Sequence, residues 1–432
     1  MNSPSAIVPV TRRRFLSTTS VAAVGALSAS RFAFAQASDT LKIALIGCGG
    51  RGSGAAAQAL NVPGTKLVAM ADAFPDRLQG ALKGLIEAKG PQVDVPPDRQ
   101  FVGFDGYKNA ISLADVVILA TPPGFRPMQF AEAVKQGKHV FAEKPVATDA
   151  PGVRTFLAAA EEAKNKNLKV GIGLQRHHDP GYIETIKRIQ DGAIGDVAAM
   201  RVYWNDAGVW VNPRKPDQTE MEYQMRNWYY FVWLCGDHIA EQHIHNLDVA
   251  NWVKGAHPVK ARGMGGREVL TDKRYGQIFD HHMVEFTYPD GSICFSQCRH
   301  QPGCWTEVNE HAIGTRGTSA VGSNLIKPSV GEVWRYRSEK RVDPYQQEHD
   351  DLFAAIRNNT PYNEAFNGAH STMTSILGRM STYSGKDVTW DEGIKSELNY
   401  FPDELSWNAK MKALPDADGN YEIPVPGVSK AW

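Results

Sequence analysis

Several things this 432-residue chain has little of narrow its class before any motif is read. Cysteine is scarce. Cys48, Cys235, Cys294, Cys298 and Cys304 are five in number and widely scattered. An odd count of this kind excludes a disulfide-built scaffold and leaves room for at most one bridge, among the last three. Buried free thiols are the expectation for most of them. An excess of either charge is also missing, since 47 basic residues face 47 acidic ones. Residues 1–35 hold Arg12, Arg13, Arg14 and Arg31 and no acid, so the remainder carries 43 basic against 47 acidic residues, a formal −4. A mildly acidic chain without a basic cluster is not built for nucleic acid or an anionic membrane. No stretch reaches the roughly 18 consecutive apolar residues of a permanent membrane helix. Internal repeats and low-complexity tracts are absent too, which removes solenoids and arrays.

The N-terminus is the first positive signal. Thr11-Arg12-Arg13-Arg14-Phe15-Leu16 resembles a twin-arginine export motif, a Ser/Ala-rich weakly apolar stretch follows to Ser30, and Ala33-Phe34-Ala35 fits a cleavage site before Gln36. Residues 1–35 are therefore expected to be a signal peptide, with the mature protein periplasmic and free of membrane anchorage. The twin-arginine route carries folded proteins. An exported redox enzyme on that route is expected to hold its cofactor tightly or to regenerate it on a second substrate.

From residue 40 the chain alternates short apolar runs with helical stretches. Strands are expected at 42–46, 66–71, 114–120 and 139–142, with helices opening at Gly52 and spanning 127–135 and about 149–165. The run Ala-Asp-Val-Val-Ile-Leu-Ala at 114–120 has no polar alternation after Asp115, as in a parallel strand buried on both faces. This rhythm predicts an α/β fold, a doubly wound Rossmann sheet over 40–166. Residues 168–174 are expected to cross into a second, α+β domain (167–395) with a large, mostly antiparallel open sheet. Its strands lie near 197–204, 281–288, 292–299 and 306–313, and its helices over 237–254, 346–358 and 367–385. The Pro/Asp/Gly-rich tail, 396–432, is expected to wrap over the surface.

Gly47-Cys48-Gly49-Gly50-Arg51-Gly52 matches G-x-G-x-x-G between a strand and a helix, and Asp72 stands about twenty residues further on at the end of the next strand. The glycines allow a tight turn and close backbone approach, and the helix N-terminus offers free N–H groups to a pyrophosphate. Asp72 can accept from ribose hydroxyls and repels a 2′-phosphate, so NAD is favoured. NADP remains possible, with Arg51 able to soften the preference. Thr121, Pro122, Glu143 and Lys144, at the ends of later strands, complete the expected cofactor site.

Glu143-Lys144-Pro145 follows the strand 139–142, where open α/β sheets place their ligands. Together with the glycine motif, "GAIGDV" at 192–197, "YPDGS" at 288–292, "GTRG" at 314–317 and "GKDVTWDE" at 385–392, it makes residues 40–392 resemble the Gfo/Idh/MocA oxidoreductases. That resemblance implies hydride transfer at a carbinol carbon, commonly of a sugar or cyclitol, and an open second-domain sheet that forms a homodimer or homotetramer. It also places His245 and Glu241 at the positions of the family's histidine and, one methylene longer, its aspartate. Arg126 stands roughly where many members have a histidine. At about 100° per residue, His238, Glu241, His245, Asp248 and Trp252 share one stripe of a helix, beside an apolar face of Ala240, Ile244 and Leu247. His245 is the expected general base, because imidazole titrates near neutral pH. Lys144 is expected to stabilise negative charge on the same oxygen, with Glu241 orienting His245 or binding a neighbouring hydroxyl.

Arg176, His177 and His238, with Trp204 and Trp228 from the aromatic stretch 203–233, are the expected substrate contacts. No histidine stands in a recognised zinc spacing, so no metal is expected. The expected function is a sugar dehydrogenase with bound nicotinamide. A glycosidase that oxidises its substrate transiently, and a non-catalytic sensor, are the alternatives.

Overall fold

The computed structural model describes residues 40–338 and 340–432. The export signal expected over 1–35 lies outside the described residues. Among the described residues no helix is long and apolar enough to cross a membrane, and the five cysteines are unpaired, so the bridge left open among Cys294, Cys298 and Cys304 does not form.

The first sheet is parallel. Its strands are β1 (Leu41–Ile46), β2 (Thr65–Asp72), β3 (Gln100–Val102), β4 (Val116–Leu119), β5 (His139–Ala142) and β6 (Val170–Ile172), in the order β3-β2-β1-β4-β5-β6. All four side chains of β4, Val-Val-Ile-Leu, are fully buried, because helices cover both faces of such a sheet. The order reverses between β1 and β4, which opens a crevice at their carboxyl ends. Two boundaries differ from the expectation. β6 pairs in parallel with β5 and closes the first sheet instead of entering the second domain. Helix Pro344–Asn358, distant in sequence, buries Leu352 and Phe353 against Ile43, Leu45 and Phe141, so a late segment completes one face of the first domain.

The second sheet has nine strands: β7 (Val197–Asp206), β8 (Lys260–Gly266), β9 (His281–Thr287), β10 (Ile293–His300), β11 (Glu307–Gly314), β12 (Gly317–Ala320), β13 (Leu325–Pro328), β14 (Trp334–Arg335) and β15 (Val388–Thr389). Their order is β14-β13-β12-β11-β7-β10-β9-β8-β15, antiparallel throughout except where β10 runs parallel to β7. Burial alternates strictly along β10, with Cys294, Ser296, Cys298 and His300 inward, the period-2 signature of a sheet covered on one side. Helices Ile244–Lys254 and Ala365–Ser384 cover that side. Met264 and Met283 stand exposed on the other, at 73% and 40% of their full accessibility.

The tail does more than wrap the surface. A third apolar cluster joins Phe74 and Phe125 of the first domain to Tyr229, Phe231 and Trp233 of the second and to Met411 and Tyr421 of the tail. Asp149 Oδ2 accepts from the backbone of Tyr400, and Arg154 donates to the carbonyls of Ile394 and Ser396.

Candidate active site

At the carboxyl ends of the parallel strands lies a cleft of about 660 Å³. Its floor is the turn after β1. Gly47 adopts φ +94°, a region that favours glycine, and a Cβ there would come within 2.5 Å of the Thr121 nitrogen. At Gly52 a Cβ would lie 2.0 Å from the Gly47 carbonyl. Around Gly49 and Gly50 there is no atom within 4 Å of the same position. The outer glycines thus allow the chain to fold back on itself, while the middle ones leave open space at the N-terminus of helix Gly50–Ala59. That is where a pyrophosphate fits.

Asp72 ends β2 at one rim of the cleft. Its carboxylate accepts from the Cys48 and Phe74 N–H groups at 2.7 and 2.8 Å. Burial raises its pKa, and those two donors oppose the rise. Asp72 is therefore a fixed acceptor beside the pyrophosphate turn, suited to ribose hydroxyls. Arg77 lines the same rim.

Beyond the glycine turn, Lys144, Glu241 and His245 line one cleft. Lys144 Nζ donates to the Glu241 carbonyl oxygen and lies 3.1 Å from Glu241 Oε1. The other carboxylate oxygen, Oε2, is buried with no protein partner. Burial pushes the Glu241 carboxyl up, opposed by Lys144 and Arg126. His245 carries a buried Nδ1 without a partner. Its pKa is held well below the ordinary value by burial first, then by the positive charges of Lys144, Arg176 and Arg51. Burial and these charges therefore hold the imidazole in its neutral form.

Comparison with known proteins gives the same picture. The profile of the GFO_IDH_MocA group, described as an oxidoreductase family with an NAD-binding Rossmann fold, matches residues 41–172. An inositol 2-dehydrogenase of Cereibacter sphaeroides is 31% identical over 338 residues, covering 74% of this chain and 87% of that protein. The chain belongs to the Gfo/Idh/MocA family. Solved structures share the fold. The aldose-aldose oxidoreductase of Caulobacter crescentus, complexed with glycerol, superposes with a TM-score of 0.63 at 20% identity over 81% of this chain and 99% of that one. The scyllo-inositol dehydrogenase of Lactobacillus casei, solved with NAD(H) and scyllo-inositol, gives 0.61 at 20% identity over 82% and 99%. This Gfo/Idh/MocA protein is accordingly an NAD-dependent oxidoreductase, and its glycine turn and Asp72 fit that cofactor.

The remaining candidates divide. Thr121, Pro122, Glu143 and Trp228 line the cleft, and Gln175 does so in place of its neighbours. Arg51 also lines it, but its guanidinium is committed to Glu143 and, at 2.8 Å, to Glu348. Two carboxylates hold it, so it is not free to welcome a 2′-phosphate beside Asp72. Arg176 is held in an ion pair with buried Glu310, which also accepts from Asn246 and Tyr182. His177 bonds Asp248 at 2.8 Å and stacks on Trp252. Trp204 stands behind His245, ring centroids 5.9 Å apart. None of these three lines the cleft.

His238 is the clearest departure. It is fully buried, 2.8 Å from Asp237 and stacked on His300. The helix expected over 237–254 is broken. One turn, His238–Glu241, ends at Gln242, and Ile244–Lys254 starts afresh. At the break His243 N bonds the His238 carbonyl five residues back, and its imidazole bonds Ser296 of β10 at 2.7 Å. His238 shares its turn with Glu241, so the break does not displace it; its ring is instead held inside the second domain by Asp237 and His300. Arg126, noted only as a departure from the family pattern, proves to be a cleft residue. It is fully buried, donates to the Thr121 and Pro145 carbonyls, and burial lowers its pKa to about 10. Trp210, from the aromatic stretch, lines the cleft as well, while Tyr345 and Arg226 in the lining, and Glu348 holding Arg51, were not foreseen. The unforeseen residues belong to segments without any glycine or strand-end signal.

Proposed function

We propose that this chain oxidises a ring carbinol of a sugar or cyclitol in the periplasm, after twin-arginine export, as a homodimer or homotetramer. The observation that carries the reading is the convergence, on one cleft with the pyrophosphate turn, of a partly buried cation, a partly buried carboxylate and a neutral imidazole. NAD, when bound, supplies the hydride acceptor. His245, neutral in this site, takes the hydroxyl proton as hydride leaves the carbon. Lys144 donates a hydrogen bond to the same oxygen as negative charge develops there. Glu241 fixes Lys144 through Oε1, and its free Oε2 accepts from a neighbouring hydroxyl, so vicinal hydroxyls are the recognised feature. Relatives named for inositol oxidation support a polyhydroxylated ring. Exposed Met264 and Met283 on the outer face of the nine-stranded sheet, with exposed Trp305 in the loop before β11, support self-association.

The test uses the mature chain, 36–432. It is loaded with NAD, incubated with a panel of sugars, cyclitols and glycosides, and followed by nicotinamide reduction and product analysis. Reduction by one polyol with a keto product supports the reading. Cleavage of a glycoside with no net reduction replaces it by transient oxidation and elimination. Nucleotide binding without turnover on any member of the panel overturns it in favour of a sensor.

A further inference from the structure

We propose that NAD, once seated, is retained through turnover by a clasp made from two segments of the chain outside the first domain. This rests on reading the cleft as the NAD site. The adenosine end of that site is the rim formed by Asp72, Phe74 and Phe104. From the second domain, the strap 210–228 reaches over to the same cleft and contributes Trp210, Asn212, Arg226 and Trp228 to its lining. Arg226 latches this strap to the rim. Its guanidinium donates to both carboxylate oxygens of Asp76 at 2.7 Å and lies 3.7 Å from the centre of the Phe74 ring. The strap is stiffened internally. The Asn212 N–H donates to the Asn227 side chain at 2.9 Å, and the Asn212 amide donates to the Arg226 carbonyl at 2.6 Å.

The tail supplies the second half. Trp407 sits against Phe74 and Phe104, ring centroids 5.1 and 4.7 Å away. Phe401 packs edge-on to Phe125 and Trp233. Rim, strap and tail thus share one apolar cluster. A nucleotide that exchanges every turnover needs a free path at its adenosine end. Here that end lies beneath elements whose detachment exposes aromatic surface to water. The geometry therefore slows release, without requiring any added contact to the nucleotide.

The experiment measures nucleotide exchange rather than activity. The full mature chain is loaded with isotopically labelled NAD, gel-filtered, and chased with excess unlabelled NAD, the bound label being read by mass spectrometry after denaturation. The expected result is about one nucleotide per chain after filtration and a release half-time longer than a catalytic cycle. Arg226→Gln and Trp407→Leu are each expected to speed release at least tenfold, equivalent to about 1.4 kcal/mol, with circular dichroism unchanged. Lys187→Gln, on a remote exposed helix, is the control and should leave release unaltered. Complete exchange of the unmodified protein within one turnover overturns the clasp. So does a release rate unchanged in both folded variants. A nucleotide that is retained but reduced by no polyol sinks the functional reading and leaves the clasp standing. A nucleotide reduced by a polyol yet freely exchanging does the reverse.

Discussion

Replacing Lys144 by methionine removes a partly buried cation while keeping most of its volume, and two separate effects follow. Lys144 Nζ lies 3.1 Å from Glu241 Oε1, with side chains 14% and 13% exposed. At an effective dielectric constant of about 20 the gross attraction is about 5 kcal/mol, much of it offset by the desolvation of both ions. Taking one partner away strands the other in a site that already pushes its pKa up. The expected loss of stability is about 3 kcal/mol at pH 8. It should shrink at low pH. Once the cation is gone, the folded Glu241 pKa lies further above its unfolded value near 4.5. The folded state then binds the extra proton, and stability falls as pH rises from about 4.5 through the folded pKa.

The catalytic effect is distinct. Loss of one donor to a developing oxyanion costs roughly 10²–10³ in turnover. Chemical denaturation at pH 5 and pH 8 reads the first effect, and single-turnover reduction of bound NAD reads the second. The double variant Lys144→Met/Glu241→Gln separates them, because it removes both charges. It should regain most of the stability and none of the turnover. If single-turnover reduction by Lys144→Met stays within threefold of the unmodified enzyme, the role assigned to Lys144 is wrong. If the double variant recovers activity along with stability, Lys144 serves only the fold.

The glycine turn offers a contrast within one motif: Gly52→Ala should destabilise the fold by about 1–3 kcal/mol through overpacking against the Gly47 carbonyl, whereas Gly49→Ala should leave the melting temperature within about a degree and weaken NAD binding, as calorimetry can measure. Asp72→Ser should lower affinity for NAD about tenfold and narrow the gap to NADP, since it removes both a ribose acceptor and the charge that repels a 2′-phosphate; equal loss for both nucleotides would place Asp72 in the turn alone. Stability should peak near pH 6.5 in denaturant titrations. His243 and His349 have pKa values held down to about 3 by burial and His282 to about 4, so their contribution is present above the unfolded value of 6.5 and is lost as pH falls towards those values. His178, raised to about 10 by Asp351 and Glu364 against the effect of burial, contributes fully below 6.5 and loses its share as pH climbs towards 10.

The parallel sheet was legible because its strands are uniform: Val-Val-Ile-Leu in β4 can hardly be anything but doubly buried. β10 was legible for the opposite reason, its strict alternation. What escaped lacked either pattern. β8, Lys-Ala-Arg-Gly-Met-Gly-Gly, carries no apolar period and is a strand only because β9 supplies its hydrogen bonds along seven residues. β6 is three residues long and could be assigned to a sheet only by its partners, β5 on one side and an isolated bridge to Asn363 on the other. Helix Pro344–Asn358 reads correctly as a helix, yet nothing in its sequence says which domain its apolar face joins.

The site was legible where a residue's position is set by local backbone. Gly47, Gly52, Asp72 and Lys144 all sit at strand ends or the turn between strand and helix, and the order of such elements fixes where they point. Side chains projected from an assumed helical wheel fared differently. Glu241 and His245 lie on opposite sides of a break that periodicity does not reveal and still share the cleft, whereas His238, in the same turn as Glu241, is held by Asp237 and His300. Dense polar residues near a cleft divide into those that face it and those that hold it, and composition does not separate the two. Arg176 with Glu310, Asn246 and Tyr182, and His177 with Asp248, Asn367 and Ser371, are closed sets in which nearly every donor meets an acceptor. Asn246 and Asp248 belong to the same helix as His245, so these sets hold the base in place from behind. Buried polar atoms without protein partners occur in both places, Asn246 Oδ1 within the Arg176 set and Arg126 Nε, Gln175 Oε1, Glu241 Oε2 and His245 Nδ1 on residues that line the cleft. A buried polar atom left unpaired costs about 1–3 kcal/mol unless something outside the chain satisfies it. Lining the cleft is what makes the unpaired atoms of His245 and Glu241 candidates for a ligand, whereas Arg176 and His177, outside the lining, hold the helix behind them.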